Sequence, residues 1–127
     1  MLRVETDDGE VGWGEAIGDL HQEVEQALNA IGERVEGSPI HDIARLIEIQ
    51  RKNRFWRDGP VLETALSALE MALWDLKGKE LGAPIYDLLG GRVRERVRVY
   101  RNLWGRNPEE FADSARVAVS NSMTAVK

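Results

Sequence analysis

The segment from residue 60 to residue 82 constrains the fold of this chain more than any other. Apolar residues recur there at helical spacing and form a wide stripe, and further apolar residues lie outside the stripe. The stripe consists of Leu62, Ala65, Leu66, Leu69, Ala72, Leu73 and Leu76, and the residues outside it are Val61, Ala68 and Met71. A helix with so little polar surface is covered on most of its faces. We therefore expect a central helix, with Asp58 as its cap, Pro60 in its first turn and its end at Gly82.

Asp75 stands beside Trp74 within this apolar run and raises the question of a site. Helical periodicity sets Asp75 between Leu73 and Leu76 of the stripe, where its carboxylate can reach a backbone group or an arginine at an interface. Acids at such positions are generally paired. We predict a structural role for Asp75 and a packing role for Trp74.

Sequence periodicity predicts three further elements before this helix. Residues 2–6 and 11–13 alternate apolar with polar side chains around an Asp-Asp-Gly turn, which is typical of a β-hairpin. Helical spacing from Asp19 to Glu36, followed by Gly37 and Pro39, predicts an amphipathic helix. A second helix is predicted from Asp42 to Asn53.

The pattern changes after Gly91. The stretch "RVRVYRNL" alternates and predicts a strand, and "MTAVK" predicts another. Between them Asn107, Pro108 and Glu110 form a capping-box arrangement that predicts a helix. A strand, a helix and a strand normally belong to a larger parallel sheet or barrel. The basic run in residues 92–101 indicates a charged edge strand rather than a phosphate site.

The composition excludes several classes of function. With 22 acidic and 17 basic residues the net charge is −5, and the basic residues are spread out, which argues against a nucleic-acid partner. The chain has no cysteine, which suits the reducing cytoplasm, where we expect the protein. No apolar run approaches the ~20 residues that span a bilayer, so we expect no membrane partner. Glycine-rich phosphate loops, zinc patterns and Gly-x-Ser-x-Gly motifs are also missing.

Residues 65–90 carry a resemblance to a known family. The motif consists of Ala65, Ser67-Ala68-Leu69-Glu70, Ala72-Leu73, Asp75-Leu76, Gly78-Lys79, Pro84-Ile85 and Leu88-Leu89-Gly90. It resembles the signature of the mandelate racemase and muconate lactonizing enzyme group of the enolase superfamily. "VETDDGEVGWGEA" is similar to the family's second and third N-terminal strands. "VRVY", "NPEEFADSARVAV" and "TAVK" resemble the first strand, first helix and second strand of its catalytic barrel.

The resemblance implies an α+β fold in two parts. Residues 1–91 correspond to an enolase-like N-terminal capping domain, a β-hairpin or meander with a three-helix bundle, from which the family's first strand is missing. Residues 92–127 correspond to the first βαβ unit of an incomplete, truncated TIM-type (β/α) barrel. A whole barrel of this kind takes ~250 residues and carries its active site at the C-terminal ends of its strands.

The resemblance also implies a reaction and a cofactor. Family members abstract the proton α to a carboxylate with a lysine or histidine base, and Mg²⁺ stabilises the enediolate. The implied substrate is a small-molecule carboxylate, an acid sugar. The family's three acidic metal ligands lie on later strands, so we expect this chain to bind no Mg²⁺ tightly and to be inactive by itself.

The resemblance assigns candidate site residues in three places. Lys127 matches the first lysine of a Lys-x-Lys pair that contacts the substrate carboxylate or tunes the neighbouring base in a longer parent protein, and the alternative is a solvated terminal side chain. The segment "EAIGDLH" matches a loop that helps to choose the substrate. Its candidate contacts are Ile17, Asp19 and His21, although an ordinary loop with Asp19 as a helix cap fits the sequence equally well. Asn102 and Trp104 follow the first barrel strand and would lie at the active-site face.

His41 precedes a helix and is expected to cap it or to be exposed.

One departure from the family pattern lies before the second barrel strand. Ser122 and Met123 occupy the places where the family usually has a glycine and an aromatic residue. A serine with positive φ costs about 1 kcal/mol. The departure affects the local turn rather than the family assignment.

Three functional hypotheses follow. The first is part of a Mg²⁺-dependent enzyme, closest in sequence to galactonate-type sugar-acid dehydratases (lyases), with a racemase or cycloisomerase (isomerases) of the same family as the alternative. The second is a non-catalytic association module that forms a homo-oligomer through exposed strand edges. The third is an inactive segment that aggregates when expressed alone.

Overall fold

The computed structural model describes residues 1–18, 20–52, 55 and 57–127. In chain order the elements are β1 (Leu2–Glu5), β2 (Val11–Gly14), α1 (His21–Val35), α2 (Ile43–Lys52), α3 (Pro60–Leu81), α4 (Ile85–Leu88) and α5 (Pro108–Ser120). Residue contacts divide the chain into two units, Met1–Gly91 and Arg92–Lys127. Within the described ranges no helix is long and apolar enough to cross a membrane.

The predicted hairpin is confirmed. Strands β1 and β2 pair antiparallel, with Leu2 opposite Gly14 and Val4 opposite Gly12. The turn closes with two bonds at 2.9 Å, from the Thr6 N–H to the Glu10 carbonyl and from the Gly9 N–H to the Thr6 carbonyl. Gly9 has a φ of 88°, which explains why a glycine ends the turn cluster.

Helix α3 lies directly against β2 because two strand residues have no side chain. A Cβ atom at Gly12 would lie 2.2 Å from the Ala72 carbonyl oxygen, and one at Gly14 would lie 1.9 Å from the Ala68 carbonyl oxygen. Since side chains alternate along a strand, Leu2 and Val4 face the helices together with these glycines. The indole of Trp13 points the other way and is 47% exposed.

The core of the first unit forms around α3, as its apolar faces predict. Helices α1 and α2 pack on α3 and contribute Val24, Ile31, Ile43 and Ile47 to one cluster of buried residues. The α3 members of that cluster are Leu62, Ala65, Leu66, Leu69 and Leu73. At the rim, the Arg51 guanidinium of α2 donates to both carboxylate oxygens of Glu63 on α3, at 3.2 and 3.0 Å.

The helix ends correct one expectation, at the start of α3. Helix α1 begins at His21, and Asp19 and Asn53, the outer residues predicted for the first two helices, lie outside the described residues. The prediction that Asp58 caps α3 is wrong: the N-cap is Gly59, at a φ of 119°, and no side chain caps the helix. The N-cap position has a backbone conformation that favours glycine. Asp58 therefore lies one residue before the N-cap and cannot serve as the cap. The predicted end is confirmed, because Gly82 is left-handed and its N–H reaches the Gly78 and Lys79 carbonyls.

In the second unit the predicted helix is confirmed, but the two predicted strands pair at a single bridge only. Asn107 caps α5, with its side-chain oxygen accepting from the Glu110 N–H at 2.9 Å. The stretches predicted as strands meet only at an isolated parallel bridge between Arg101 and Val126, and residues 92–100 form no strand. Parallel pairs normally have both faces covered, and here much of the apolar surface is open. Ser122 has a φ of 60°, the positive value expected for this turn.

Candidate functional site

Asp75 is a structural residue that closes the outer edge of β2. Its Oδ2 atom accepts from the Trp13 N–H at 2.9 Å and from the Lys79 Nζ at 2.8 Å. The same ammonium donates to the Val11 carbonyl at 2.6 Å. The pKa of Asp75 is lowered, mainly by the hydrogen bond from Lys79 and further by that from the Trp13 N–H, against the opposing effect of burial. The predicted backbone partner is present, and the cation is a lysine instead of an arginine.

The second unit brings Lys127 beside the first predicted barrel strand. The Arg101 N–H donates to the Ala125 carbonyl at 3.1 Å, and the Lys127 N–H donates to the Arg101 carbonyl at 3.0 Å. The Leu103 N–H then donates to the Lys127 carbonyl at 2.8 Å. This pattern is that of a parallel ladder in which Arg101 is paired with Val126. The next residues along the two segments, Asn102 and Lys127, are therefore neighbours on one face.

Tyr100 belongs to the same face and was not among the residues identified from the sequence. It lies two residues before Asn102, so period-two alternation directs both side chains to one side. The Lys127 Nζ lies 6.0 Å from the centroid of the Tyr100 ring. This is at the outer limit of a cation–π contact. The sequence could have identified Tyr100. In the alternating stretch "RVRVYRN" it lies two positions before Asn102, and residues two apart on a strand share a face.

Trp104 lies just beyond the ladder and exposes its ring. Its N–H donates to the Ser114 hydroxyl of α5 at 3.3 Å, while its side chain is largely in solvent, at 77% exposure. The following Gly105 has no room for a side chain, since a Cβ atom there would lie 2.6 Å from the Phe111 nitrogen. The backbone is thus held against α5, and the indole remains available for a ligand.

The other candidates belong to the first unit. Ile17 is 76% exposed in the segment after β2, and His21 is the exposed first residue of α1. Asp19, between them, lies outside the described residues. His41 is exposed, as expected, and its Nδ1 lies 3.3 Å from the Lys77 Nζ and 3.4 Å from a Glu80 carboxylate oxygen.

The described residues do not assemble a metal site. Among them, no group of three or more histidine, aspartate or glutamate side chains is placed to hold an ion. Lys127, Asn102, Tyr100 and Trp104 provide one cation, one amide and two aromatic rings. Such a set suits the carboxylate and hydroxyl groups of an organic ligand better than it suits a divalent cation.

Curated relatives of the chain include sugar-acid dehydratases. The D-gluconate dehydratase of Thermoproteus tenax is 42% identical over 132 residues, which cover 100% of this chain and 27% of that protein. The D-galactonate dehydratase of Verminephrobacter eiseniae is 38% identical over 128 residues, covering 100% and 34%. That of Variovorax paradoxus is 41% identical over 112 residues, covering 87% and 29%. The chain therefore spans about a third or less of these relatives.

Solved structures of enolase-superfamily proteins share the fold of this chain. A member of the enolase superfamily from Salmonella Typhimurium superposes with a TM-score of 0.83 at 30% identity, covering 98% of this chain and 36% of that one. An enolase from Pantoea ananatis with bound D-gluconate and Mg has a TM-score of 0.81 at 32% identity, covering 98% and 31%. Residues 1–90 match the family model for the N-terminal domain of mandelate racemase / muconate lactonizing enzyme. The chain belongs to the mandelate racemase / muconate lactonizing enzyme family of the enolase superfamily.

Proposed function

We propose that these residues form part of a sugar-acid dehydratase, with residues 1–91 as its capping domain and residues 92–127 as the beginning of its barrel. The main support for the proposal is that the sequence similarity to dehydratases extends over the whole chain. A D-gluconate dehydratase and a D-galactonate dehydratase each align with all of it. The Pantoea ananatis structure, with its bound D-gluconate, supports the same class of substrate.

The reaction has two bond-breaking steps. A base removes the proton from the carbon α to the carboxylate, and the hydroxyl group on the next carbon leaves as water after an acid protonates it. The enol that results becomes a 2-keto-3-deoxy acid. The described residues do not fit a metal site, so we assign no residue of this chain to the Mg named with the Pantoea ananatis protein.

Lys127 is the residue of this chain that we assign to the substrate carboxylate. Its ammonium can pair with the carboxylate, or its charge can lower the pKa of a neighbouring base. The ammonium lies over the Tyr100 ring, 6.0 Å from its centroid. Asn102 shares that face and can donate its amide hydrogens to a substrate hydroxyl. Trp104 would cover the apolar side of the sugar chain.

The loop before α1 is the proposed substrate-selecting segment. Ile17 and His21 are exposed, and Asp19 stands between them in sequence. An isoleucine, an acid and a histidine can distinguish sugar acids by the configuration and number of their hydroxyl groups. We expect substitutions in this loop to change the choice among sugar acids more than the rate with the preferred one.

A second candidate role is association with further copies of the chain. Val93, Val97 and Val119 in the second unit are each at least 69% exposed. Exposed apolar side chains of this number favour a partner surface. A homo-oligomer is compatible with the dehydratase proposal and does not require that catalysis has been lost.

A chimera tests the proposed reaction. Residues 1–127 would replace the matching segment of the Verminephrobacter eiseniae D-galactonate dehydratase, which aligns with the full chain. We expect Mg²⁺-dependent formation of a 2-keto-3-deoxy acid from D-galactonate or D-gluconate, within ~100-fold of the parent enzyme, since a misplacement of about 1 Å costs roughly that factor. The assay is the appearance of the α-keto acid.

Two controls define the result. The isolated 127-residue chain should form no product, and the parent dehydratase sets the upper rate. A chimera that folds by circular dichroism but only racemises or isomerises its substrate would favour the other reactions of the family. A chimera that folds and gives no α-keto acid would contradict the proposal.

A further inference from the structure

The chain contains two Asp-Gly sequences, Asp8-Gly9 and Asp58-Gly59. An aspartate before a glycine can isomerise spontaneously, because glycine has no Cβ atom to hinder the reaction of its backbone nitrogen with the neighbouring carboxyl group. Both pairs lie outside the helices and strands, and both aspartates are exposed. Exposure therefore does not distinguish the two pairs, and the hydrogen bonds around each pair determine which of them can react.

The reaction proceeds through a cyclic succinimide. The glycine nitrogen forms a bond to the side-chain carboxyl carbon of the aspartate, while one C–O bond of the neutral carboxylic acid breaks. The oxygen leaves as water, with the proton of the acid and the proton of the glycine N–H. Water then opens the ring at either of its two carbonyl carbons. One opening restores aspartate, and the other gives isoaspartate, in which the backbone runs through the side chain and is one carbon longer.

Thr6 holds both reacting groups of the first pair. Its hydroxyl donates to Oδ1 of Asp8, and its carbonyl accepts from the Gly9 N–H at 2.9 Å. The same hydroxyl accepts from the Glu10 N–H at 3.1 Å, which fixes its position in the turn. The pKa of Asp8 is lowered, mainly by the hydrogen bond from Thr6, so less of the reactive neutral acid is present. The hairpin turn therefore protects Asp8.

The second pair has no comparable bonds in the part of the chain that the structure describes. Asp58 does not cap α3, and no described residue donates to its carboxylate or accepts from the Gly59 N–H. Neither reacting group has to give up a hydrogen bond of this kind before the ring closes. Gly59 has a φ of 119°, so the position also favours the residue with the least hindered nitrogen.

Asp58-Gly59 lies where the chain enters the central helix. The Gly59 carbonyl accepts from the Glu63 N–H at 3.0 Å, which is the first hydrogen bond of α3. Glu63 is also the partner of the Arg51 guanidinium of α2. Isomerisation adds one backbone carbon directly before Gly59, and so it lengthens the connection between α2 and α3 beside these contacts. The product keeps the mass and the charge of the chain.

We propose that Asp58 is a site of spontaneous isoaspartate formation in the folded protein, and that Thr6 prevents the same reaction at Asp8. Both parts of the proposal follow from one difference, the presence or absence of hydrogen bonds to the two reacting groups. The proposal requires no reactant other than water. It concerns the first unit alone and is independent of the reaction that the protein catalyses.

The test is oxygen-18 labelling of the full 127-residue chain. The folded protein is kept in oxygen-18 water at neutral pH and physiological temperature, and each succinimide that opens takes up one labelled oxygen, whichever product forms. Digestion after lysine, carried out in ordinary water, then gives residues 1–52 and 53–77, which contain one Asp-Gly pair each. Mass spectrometry with electron-transfer fragmentation locates the label and separates isoaspartate from aspartate.

We expect label and isoaspartate to accumulate at Asp58 at least tenfold faster than at Asp8, because ring closure at Asp8 must first break two hydrogen bonds. Asp75 lies in the same peptide as Asp58, has leucine as its next residue and supplies the background rate. In concentrated guanidinium chloride the turn unfolds, so the two Asp-Gly pairs should then react at similar rates.

Two variants make the result specific. Thr6→Val removes the hydroxyl and keeps the backbone bonds of the turn, so Asp8 should react about fivefold faster while Asp58 is unchanged. Asp58→Glu keeps the charge, but glutamate would have to close a larger ring, so no label above background should appear at position 58. Circular dichroism checks that each variant is folded.

Three outcomes would overturn the proposal. The first is equal labelling of Asp8 and Asp58 in the folded chain. The second is labelling of Asp58 no faster than that of Asp75. The third is unchanged labelling of Asp8 in a folded Thr6→Val protein, since this would show that the hydroxyl of Thr6 does not protect the turn.

Discussion

Gly14 allows the closest approach between sheet and helix in the first unit. We predict that Gly14→Ala destabilises this unit by about 1–3 kcal/mol, because the new Cβ atom would lie 1.9 Å from the Ala68 carbonyl oxygen and the backbone must shift. Urea denaturation followed by tryptophan fluorescence measures the change. A Trp104→Phe background removes the tryptophan of the second unit from the signal.

Gly32→Ala is the matched control for Gly14→Ala. A Cβ atom at Gly32 meets no other atom within 4 Å, and the residue lies inside α1. Alanine should raise the stability there by up to ~1 kcal/mol, because glycine is a poor helix former. Equal effects of the two substitutions on stability would contradict the claim that the close contact between β2 and α3 requires glycine at position 14.

Asp75 makes part of the stability depend on pH. The folded state lowers the pKa of its carboxyl, so the unfolded state, with a value of about 3.9, binds the proton more readily. The contribution is therefore present in full above that value and is lost as the pH falls through the lower folded pKa. We predict that Asp75→Asn, which keeps an acceptor oxygen but cannot titrate, loses less stability than the unaltered chain between pH 7 and pH 3.

The measurement is a pair of urea denaturation curves at the two pH values for each protein. Asp75→Ala provides the second comparison and should cost about 1–2 kcal/mol at pH 7, because the Trp13 N–H and Lys79 lose their acceptor. An identical pH dependence in the Asp75→Asn protein and the unaltered chain would contradict the role assigned to this carboxylate.

The sequence indicated the structural role of Asp75 and a backbone partner, but not which residues its partners are. Helical periodicity placed the acid at an interface, and α3 is indeed covered on most faces. The Trp13 N–H is 62 positions away in the chain, and no local pattern predicts which strand edge faces a helix. Tyr100 was missed for a related reason, since only the register of Arg101 with Val126 shows which side chains share the face of Lys127.

Helix α5 depends on its cap more than on its burial. Ala118 is the one buried residue of α5, and the Asn107 side chain accepts from the Glu110 N–H. We predict that Asn107→Ala costs about 1 kcal/mol of helix stability. Hydrogen exchange of the α5 amides should then become roughly fivefold faster, measured by NMR.

Asn107→Asp is the matched control for this helix. Aspartate keeps the acceptor oxygen and favours the N-terminal end of the helix dipole, so the α5 amides should exchange as in the unaltered chain. Unchanged exchange in Asn107→Ala would mean that contacts of the helix body, rather than the cap, hold its first turn.

The helices were predictable from the sequence because their signals are local. Apolar spacing, Pro60 and Pro108 at first turns, and the glycine at position 82 gave α3 and α5 within a few residues. The strands of the second unit were not predictable in the same way. Alternation shows that residues 97–100 can form a strand, but pairing depends on neighbouring segments, and here it is limited to the bridge at Arg101.

At the scale of the whole molecule, the sequence identified the family through one long motif, and the comparisons agree with it. The order of a β-hairpin, three helices and a capped helix could be derived from periodicity together with turn and cap signals. The reaction could not, because site chemistry is not encoded in the fold. The proposed contact of Lys127 with the substrate carboxylate is therefore tested by activity rather than by fold.

The most direct measurement is kcat/KM for D-galactonate in the chimera with the Verminephrobacter eiseniae dehydratase, before and after Lys127→Met. Arg101→Met is the matched control. Arg101 is a cation on the same parallel ladder, but it is paired with Val126, so its side chain is on the face opposite to that of Lys127. We predict a fall of at least ~100-fold for Lys127→Met, as expected when a charged partner of the substrate is lost, and little change for Arg101→Met. Equal activities of the two variants would contradict the proposal that Lys127 acts on the substrate carboxylate.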